Sequence, residues 1–294
     1  MSISQANKSW LDGHLVDSQA GMIPLSDRSL LLGDGVFETV LIRNRCILNW
    51  NQHAERLEKS LKLAGIPRIY SRDELLEGIR SMMDAASLDC ASVRLTVTRG
   101  SGSKGYLPLP DDQVQPRTLI SAKPLATTDT SGQTCIRAVS CPNPIFSLDP
   151  LQRIKSTSRL QYVLAARFAR DSGVEECLML NESGVIAEWT SGNFLILDEK
   201  EGILSTPDDS SGALAGITRE TALLAATRSG LRPERTEILP VGLKTTQCLL
   251  LTNSLRGIQV VSELDGKVFH RGSVPLEKLQ TALADIRMES SVPL

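Results

Sequence analysis

Apolar and polar positions alternate along residues 92–100, SVRLTVTRG, with Val93, Leu95 and Val97 on one face and Arg94, Thr96 and Thr98 on the other. A period of two predicts a half-buried strand. It leads into a Gly/Ser-rich loop over 100–105, and 118–124 (TLISAKP) predicts another strand. Upstream the period changes. Leu57, Leu61 and Ala64 share one face of a helix predicted over 51–64, with Gly65 and Pro67 beyond its end. Ser71 and Glu74 have the spacing of a capping box and open a second helix, expected to run through Met83. Asp12-Gly13 and Gly33-Asp34-Gly35 lie between short apolar runs and predict β-hairpins.

Downstream, strands are predicted near 135–140, 176–180, 193–197 and 248–252. Helices are predicted near 159–171 and 217–229, the second closed by Gly230. In the first of them Leu160, Val163, Leu164 and Phe168 recur at three- and four-residue spacings. Ser156, Thr157 and Ser158 precede it, where hydroxyls can accept bonds from the free N–H groups of a helix start. Strands outnumber helices and the helices cluster, so the fold class is α+β with two domains. The polar stretch 126–134, ATTDTSGQT, is the expected linker. It separates a smaller N-terminal domain, 1–125, from a larger C-terminal domain, 135–294.

Composition narrows the function. A net charge of −2 with no basic block excludes nucleic acid as the expected partner. The longest apolar stretches are too short to span a membrane, and the first residues hold no apolar signal core. Six cysteines are scattered without a CxxC and read as small core residues in a reducing cytoplasm. His14, His53 and His270 have no metal-ligand spacing, so no metal site is expected. A small-molecule substrate remains.

Four features carry candidate chemistry. Lys155 stands just before a helix start, the wrong end of the helix dipole for a cation, where a lysine is ordinarily a solvated charge. Glu188 lies among Ile, Ala and Trp in GVIAEWTSGNFLIL, a strand–turn–strand segment, where a carboxylate wants a partner. Gly216, Ile217 and Thr218 open a helix whose free N–H groups and hydroxyl can cradle a phosphate, or form an ordinary cap. Arg56 in HAERL is by itself an unremarkable surface arginine. Together they amount to a Schiff-base lysine, a carboxylate for a pyridine nitrogen, a phosphate cradle and an arginine, the parts that pyridoxal phosphate requires.

The order of these parts resembles the class IV, fold-type IV pyridoxal-phosphate enzymes, among them branched-chain aminotransferases, D-amino-acid aminotransferases and 4-amino-4-deoxychorismate lyases. The resemblance runs from DRSLLLGDGVFETV through HAERL, VTRGSGSKGY, IKSTSRLQYVLAARF, GVIAEWTSGNF and GITR to LLLTNSLRGIQVV. It implies that Lys155 carries the cofactor and that Glu188 faces its ring nitrogen. Arg56, Ile217, Thr218 and the Thr252-Asn253 turn would hold its phosphate. It also implies a homodimer. Phe37 and Lys104-Gly105-Tyr106 stand where D-amino-acid aminotransferases have a tyrosine and an Arg-Asn-His carboxylate trap. The loop from Arg99 to Tyr106 is similar to the lyase RGxGxRGY, and LTNSLRGI is similar to lyase sequences. The leading expectation is therefore the lyase, which releases 4-aminobenzoate and pyruvate. Lys155 would move the proton, Thr39 would protonate the departing enol, and Arg99, Lys104 and Tyr106 would hold carboxylates near Phe37. Two departures stand against it: Lys104 replaces the usual arginine, and Thr157-Ser158 replace Leu-Asn after the lysine. The alternative is an aminotransferase for D- or branched-chain amino acids, which the Phe37-Glu38 pair favours. A binding protein of the same fold is the third reading, and an intact Lys155 and Glu188 oppose it.

Overall fold

The computed structural model describes residues 8–19, 21–125 and 135–294, with Ser103 and Lys104 described in backbone only. The expected linker over 126–134 lies outside the described residues. The chain divides into two compact units. Unit 1 comprises Met1–Asp129, Ile154–Arg159 and Ser290–Leu294, and unit 2 comprises Thr130–Arg153 and Leu160–Glu289.

Unit 1 contains β1 (Lys8–Leu11), β2 (His14–Asp17), α1 (Arg28–Leu32), β3 (Gly35–Arg43), β4 (Cys46–Ile47), α2 (Trp50–Ala64), α3 (Arg72–Ala86), β5 (Ala91–Thr98), β6 (Ser103–Lys104), β7 (Leu107–Pro108) and β8 (Arg117–Pro124). Unit 2 contains β9 (Ile136–Ser140), α4 (Leu160–Asp171), β10 (Glu176–Leu180), β11 (Ile186–Trp189), β12 (Gly192–Asp198), β13 (Ile203–Pro207), α5 (Ile217–Arg228), β14 (Arg232–Thr236), β15 (Cys248–Asn253), β16 (Gly257–Leu264), β17 (Lys267–Val268) and α6 (Val274–Glu289). The last strand, β18 (Val292–Pro293), pairs with β4 in unit 1.

In unit 1 a seven-stranded antiparallel sheet runs β18-β4-β3-β5-β8-β1-β2. Val36, Val40 and Ile42 of β3 and Val93, Leu95 and Val97 of β5 share one buried cluster with Leu57 and Leu61 of α2 and Ile79 and Met82 of α3. The period of two in 92–100 therefore marks the helix-covered face. The capping box at α3 is present in both directions, Ser71 Oγ accepting from Glu74 N at 3.2 Å and Glu74 Oε2 accepting from Ser71 N at 2.7 Å. Asp12-Gly13 turns the β1–β2 hairpin as expected. Gly33-Asp34-Gly35 does not turn a hairpin. Gly33 ends α1 in the left-handed conformation, φ 70°, and Gly35 starts β3.

Unit 2 is a nine-stranded sheet with β9–β10, β9–β16 and β13–β14 parallel and the other pairings antiparallel. β11 pairs with both β10 and β12, which closes β11, β10, β9, β16, β15 and β12 into a ring. Both faces of β15 are buried, which explains its unbroken apolar run. Cys248 and Leu250 meet α5 and α6, while Leu249 and Leu251 join Trp189 and Phe194 on the other side. Helix α6 was not anticipated from the sequence. Its Leu276, Leu279 and Leu283 pack into the same cluster as Ala222 and Ala225 of α5. All six cysteines are free thiols, and Cys141, Cys177 and Cys248 are buried.

The expected C-terminal domain needs correction at two places. Ile154–Arg159, with Lys155, and Ser290–Leu294 belong to unit 1. The physical cause is backbone pairing. Phe37 N donates to Lys155 O at 2.8 Å and Thr157 N to Gly35 O at 2.8 Å, so this segment acts as a further strand along β3.

Candidate active site

In unit 1, Lys155 is placed by its own main chain. β4 pairs with β3 only at Ile42 and Arg43, so the edge of the first half of β3 is covered by residues 155–157. The hydroxyls after Lys155 do not cap α4, as the sequence led us to expect. Thr157 Oγ1 donates to Gly33 O at 2.7 Å, and Ser158 Oγ lies 3.2 Å from the same carbonyl. A Cβ at Gly33 would stand 2.2 Å from Ser158 Oγ, so the glycine is what lets the two strands of chain meet. Lys155 Nζ lies 4.8 Å from the centroid of the Phe37 ring.

The alternation of β3 puts Glu38 between Val36 and Val40 on the face covered by α2. There it is buried and meets two side chains one turn apart on α2. Its Oε1 accepts from Arg56 Nε and its Oε2 from Arg56 Nη2, both at 2.7 Å, and His53 Nδ1 is 2.7 Å from Oε2. Burial alone would push the Glu38 carboxyl up. The charge and hydrogen bonds of Arg56, with the bond from His53, hold it down at about 2. His53 is depressed, first by burial and then by the positive charges of Arg56 and Lys155, against the pull of Glu38. Arg56, expected at the phosphate, is thus engaged bidentately by Glu38.

The opposite face of β3 carries Phe37 and Thr39. Thr39 pairs directly across from Arg94 of β5, whose guanidinium carbon lies 3.6 Å from the Phe37 ring centroid. Desolvation and the charge of Arg159 depress Arg94, and among the described residues no carboxylate acts on it. Sequence reasoning assigned Arg94 only to a strand face. Its mark was a cation in the alternating row beside Phe37 and Thr39.

The loop residues behave otherwise than expected. Arg99 is buried, with Nε on Asp34 Oδ2 at 2.8 Å, Nη1 on Gly65 O at 2.5 Å and Nη2 on Ala64 O at 2.6 Å. Arg99 therefore clamps the end of α2, with all three of its nitrogens engaged by the protein. Tyr106 is 87 % exposed. The side chain of Lys104 lies outside the described residues.

In unit 2, Glu188 is buried on β11. Its Oε1 accepts from Tyr162 Oη at 2.7 Å, and its Oε2 accepts from Asn193 Nδ2 at 3.2 Å and Leu214 N at 3.1 Å. Helix α5 starts at Ile217 behind Gly216, with no side-chain bond at the cap position. A Cβ at Gly216 would fall 1.6 Å from Asn193 Oδ1, so only glycine fits there. Thr218 and Thr252 are buried, and Thr252 Oγ1 has no hydrogen-bond partner. The Asn253 side chain is engaged by its own turn, accepting from Leu255 N and Arg256 N. In kind, unit 2 offers pyridoxal phosphate a carboxylate presented by fixed donors, a helix N-terminus and a buried hydroxyl unsatisfied among the described residues, and unit 1 separately offers an amine.

A three-residue group with metal-like donors, Glu199, Cys248 and His270, also occurs in unit 2. It is not legible as a motif, because its members are far apart in the chain. Glu199 accepts from Ser273 N at 2.8 Å, Ser273 Oγ at 2.7 Å and His270 Nε2 at 3.2 Å, which satisfies the carboxylate without an ion.

Comparison with known proteins agrees with this geometry. The sequence model for the family "Amino-transferase class IV" matches residues 35–264. The chain belongs to the class IV aminotransferases. A Methanocaldococcus jannaschii protein, provisionally named a branched-chain-amino-acid aminotransferase, is 30 % identical over 283 residues, 95 % of this chain and 96 % of that one. The crystal structure of a branched-chain aminotransferase from Thermoproteus uzoniensis has a TM-score of 0.85 at 26 % identity, covering 97 % of this chain and 98 % of the other. A Legionella pneumophila structure, provisionally named a 4-amino-4-deoxychorismate lyase, has a TM-score of 0.81 at 23 % identity, covering 91 % and 96 %. Class IV aminotransferases use pyridoxal phosphate, and this class IV aminotransferase is a pyridoxal-phosphate enzyme of fold type IV.

Proposed function

We propose that this class IV aminotransferase transfers an amino group between α-amino acids and 2-oxo acids, with a dicarboxylic acid as one partner. The observation that carries this reading is Arg94. It is an exposed guanidinium stacked on Phe37, with a second cation, Arg159, nearby and, among the described residues, no carboxylate acting on it. A guanidinium stacked on an aromatic ring beside a second cation suits a carboxylate ligand. The lyase reading instead places the carboxylates on Arg99, Lys104 and Tyr106, of which Arg99 is engaged by Asp34 and two carbonyls. The relatives named as aminotransferases support the same preference.

In this scheme Lys155 anchors the cofactor and Glu188 meets its ring nitrogen. The N-terminus of α5 with Thr218 and the hydroxyl of Thr252 take its phosphate, and Ile217 and Asn253 contribute main-chain groups. Bound pyridoxal phosphate supplies an electron sink for the bond broken at the amine-bearing carbon. With the cofactor bound, Lys155 Nζ would be the base that takes up that proton and gives it back. Arg94 binds the distal carboxylate, and Phe37 walls the space beside it. Arg56 acts through Glu38, which locks α2 to β3 behind Lys155. We further propose a homodimer working in the cytoplasm, where six free thiols stay reduced.

The test is a pair of half-reactions. Glutamate alone should bleach the visible band of the loaded enzyme, and 2-oxoglutarate should restore it. Arg94→Ala should cost about 10²-fold or more in kcat/KM for the dicarboxylate, the scale of a lost charge-assisted pair, and far less for a monocarboxylic partner. Equal losses for both would sink the assignment. The lyase remains the second reading, because Thr39 lies in the same row as Phe37 and opposite Arg94. Multiple turnovers of 4-amino-4-deoxychorismate to 4-aminobenzoate without a 2-oxo acid would establish it instead.

A further inference from the structure

Within unit 2, Glu188 is one end of a chain of side chains that reaches Gln152. Tyr162 Oη lies 2.7 Å from Glu188 Oε1 and 2.9 Å from Gln152 Oε1. A phenol has a single proton, so it cannot donate fully to both oxygens. A carboxylate is the stronger acceptor. The Gln152 amide, whose oxygen and nitrogen are interchangeable in shape, then turns its Nε2 toward the phenol oxygen. The chain acquires one direction: Gln152 donates to Tyr162, and Tyr162 donates to Glu188.

The rest of the carboxylate is fixed as firmly. Asn193 Nδ2 reaches both Glu188 Oε2 and Leu214 O, the latter at 2.8 Å, and Asn193 Oδ1 is held in the space left by Gly216. Leu214 N supplies the third donor. Burial works against a charged carboxylate, and each donor works for it. Tyr162 and Gln152 stand on either side of Lys155 in the chain; Tyr162 lies in the segment that follows the lysine, and Gln152 lies outside every quoted motif.

We propose that Tyr162, oriented by Gln152, is a positioning residue that keeps Glu188 ionised and aimed, so that the cofactor's ring nitrogen retains its proton. This rests on the reading that Glu188 meets that nitrogen. Without the phenol proton, Glu188 becomes more basic and draws the ring proton to itself. The ring then carries less positive charge, and the nitrogen linking Lys155 to the cofactor holds its own proton more tightly.

The experiment is a pH titration of the visible band of the loaded enzyme, wild type against Tyr162→Phe, Gln152→Leu and Glu188→Gln. Tyr162→Phe keeps the ring and its packing. Its midpoint should rise by about one pH unit, the scale of one lost hydrogen bond to a charged group. Its kcat should fall about tenfold with KM little changed. Gln152→Leu should move the midpoint the same way by less. A role limited to packing would lower Tm and leave the midpoint in place. If Glu188→Gln shifts the titration while both Tyr162→Phe and Gln152→Leu overlay the wild type, the proposal is overturned and the reading of Glu188 stands. If no variant shifts it, both fail. Should Tyr162→Phe not fold, Gln152→Leu decides alone.

Discussion

Glu38 shows how one buried charge is tolerated. Its two oxygens face Arg56 twice and His53 once, all at 2.7 Å, so the carboxylate keeps its charge in an apolar setting. Its carboxyl titrates near 2 in the folded chain, below the ordinary value of 4.5. A depressed acid stabilises the fold above its unfolded value and loses that contribution as pH falls through the folded one. The contribution is about 3 kcal/mol at neutral pH. His53 acts in the same direction, since a depressed histidine resists the proton that the unfolded chain accepts. Glu38→Gln should therefore lose about 3 kcal/mol in urea unfolding at pH 7, with the deficit shrinking toward pH 3. A deficit independent of pH would show that shape, and not charge, holds β3 to α2. The sequence made Glu38 visible only as half of a Phe-Glu pair. His53 was visible only as a histidine without metal spacing, because the contact spans two elements.

At the scale of elements, the unexpected piece is the strand-like segment 155–157 laid along β3. Its register depends on Gly33, where α1 ends with φ 70° and where any Cβ would meet both Ser158 Oγ and the Ser158 main chain. Gly33→Ala should destabilise unit 1 by about 2 kcal/mol, from left-handed strain and displacement of that segment. It should also loosen cofactor retention, measured as the dissociation rate of pyridoxal phosphate, since Lys155 is carried on the displaced piece. Unchanged retention would mean that the Lys155 position does not depend on this turn. The two departures from the lyase pattern, Thr157 and Ser158, now have a physical role. Their hydroxyls bind the Gly33–Gly35 turn where Leu-Asn could not do so in the same way.

Across the whole molecule, the largest mismatch between pattern and burial is in α4. The stripe that marks it as a helix, Leu160, Val163, Leu164 and Phe168, faces outward in the single chain, while Ala165 and Ala169 face the core. Contiguous exposed apolar surface of this kind marks an interaction site. The proposed second copy of the chain would cover it. Leu164→Asp should leave helix content unchanged by circular dichroism and convert a sedimenting dimer into a monomer. A variant that sediments as the wild type would place the subunit contact elsewhere. No helix among the described residues is long and apolar enough to cross a membrane, so a bilayer-spanning helix does not account for the stripe.

The sequence by itself determined the elements whose signal is local. The alternating row of β5, the capping box of α3, the glycine closing α5 and the continuous apolar run of β15 all appear where their periods put them. It made Lys155, Glu188, Gly216 and Thr218 candidates through their combination and order along the chain, since each taken locally has an ordinary structural explanation. Only the tertiary structure decided that Lys155 belongs to unit 1 and that Arg99 clamps α2 while Arg94 stacks on Phe37. It alone joined Glu38 to His53 and Arg56, and Glu188 to Tyr162. Their hydrogen bonds link residues 15 to 65 positions apart, as from Glu38 to His53 and from Arg99 to Asp34. Hydrogen bonds at such separations are set by which chain segments meet, and no periodicity along the chain encodes that meeting.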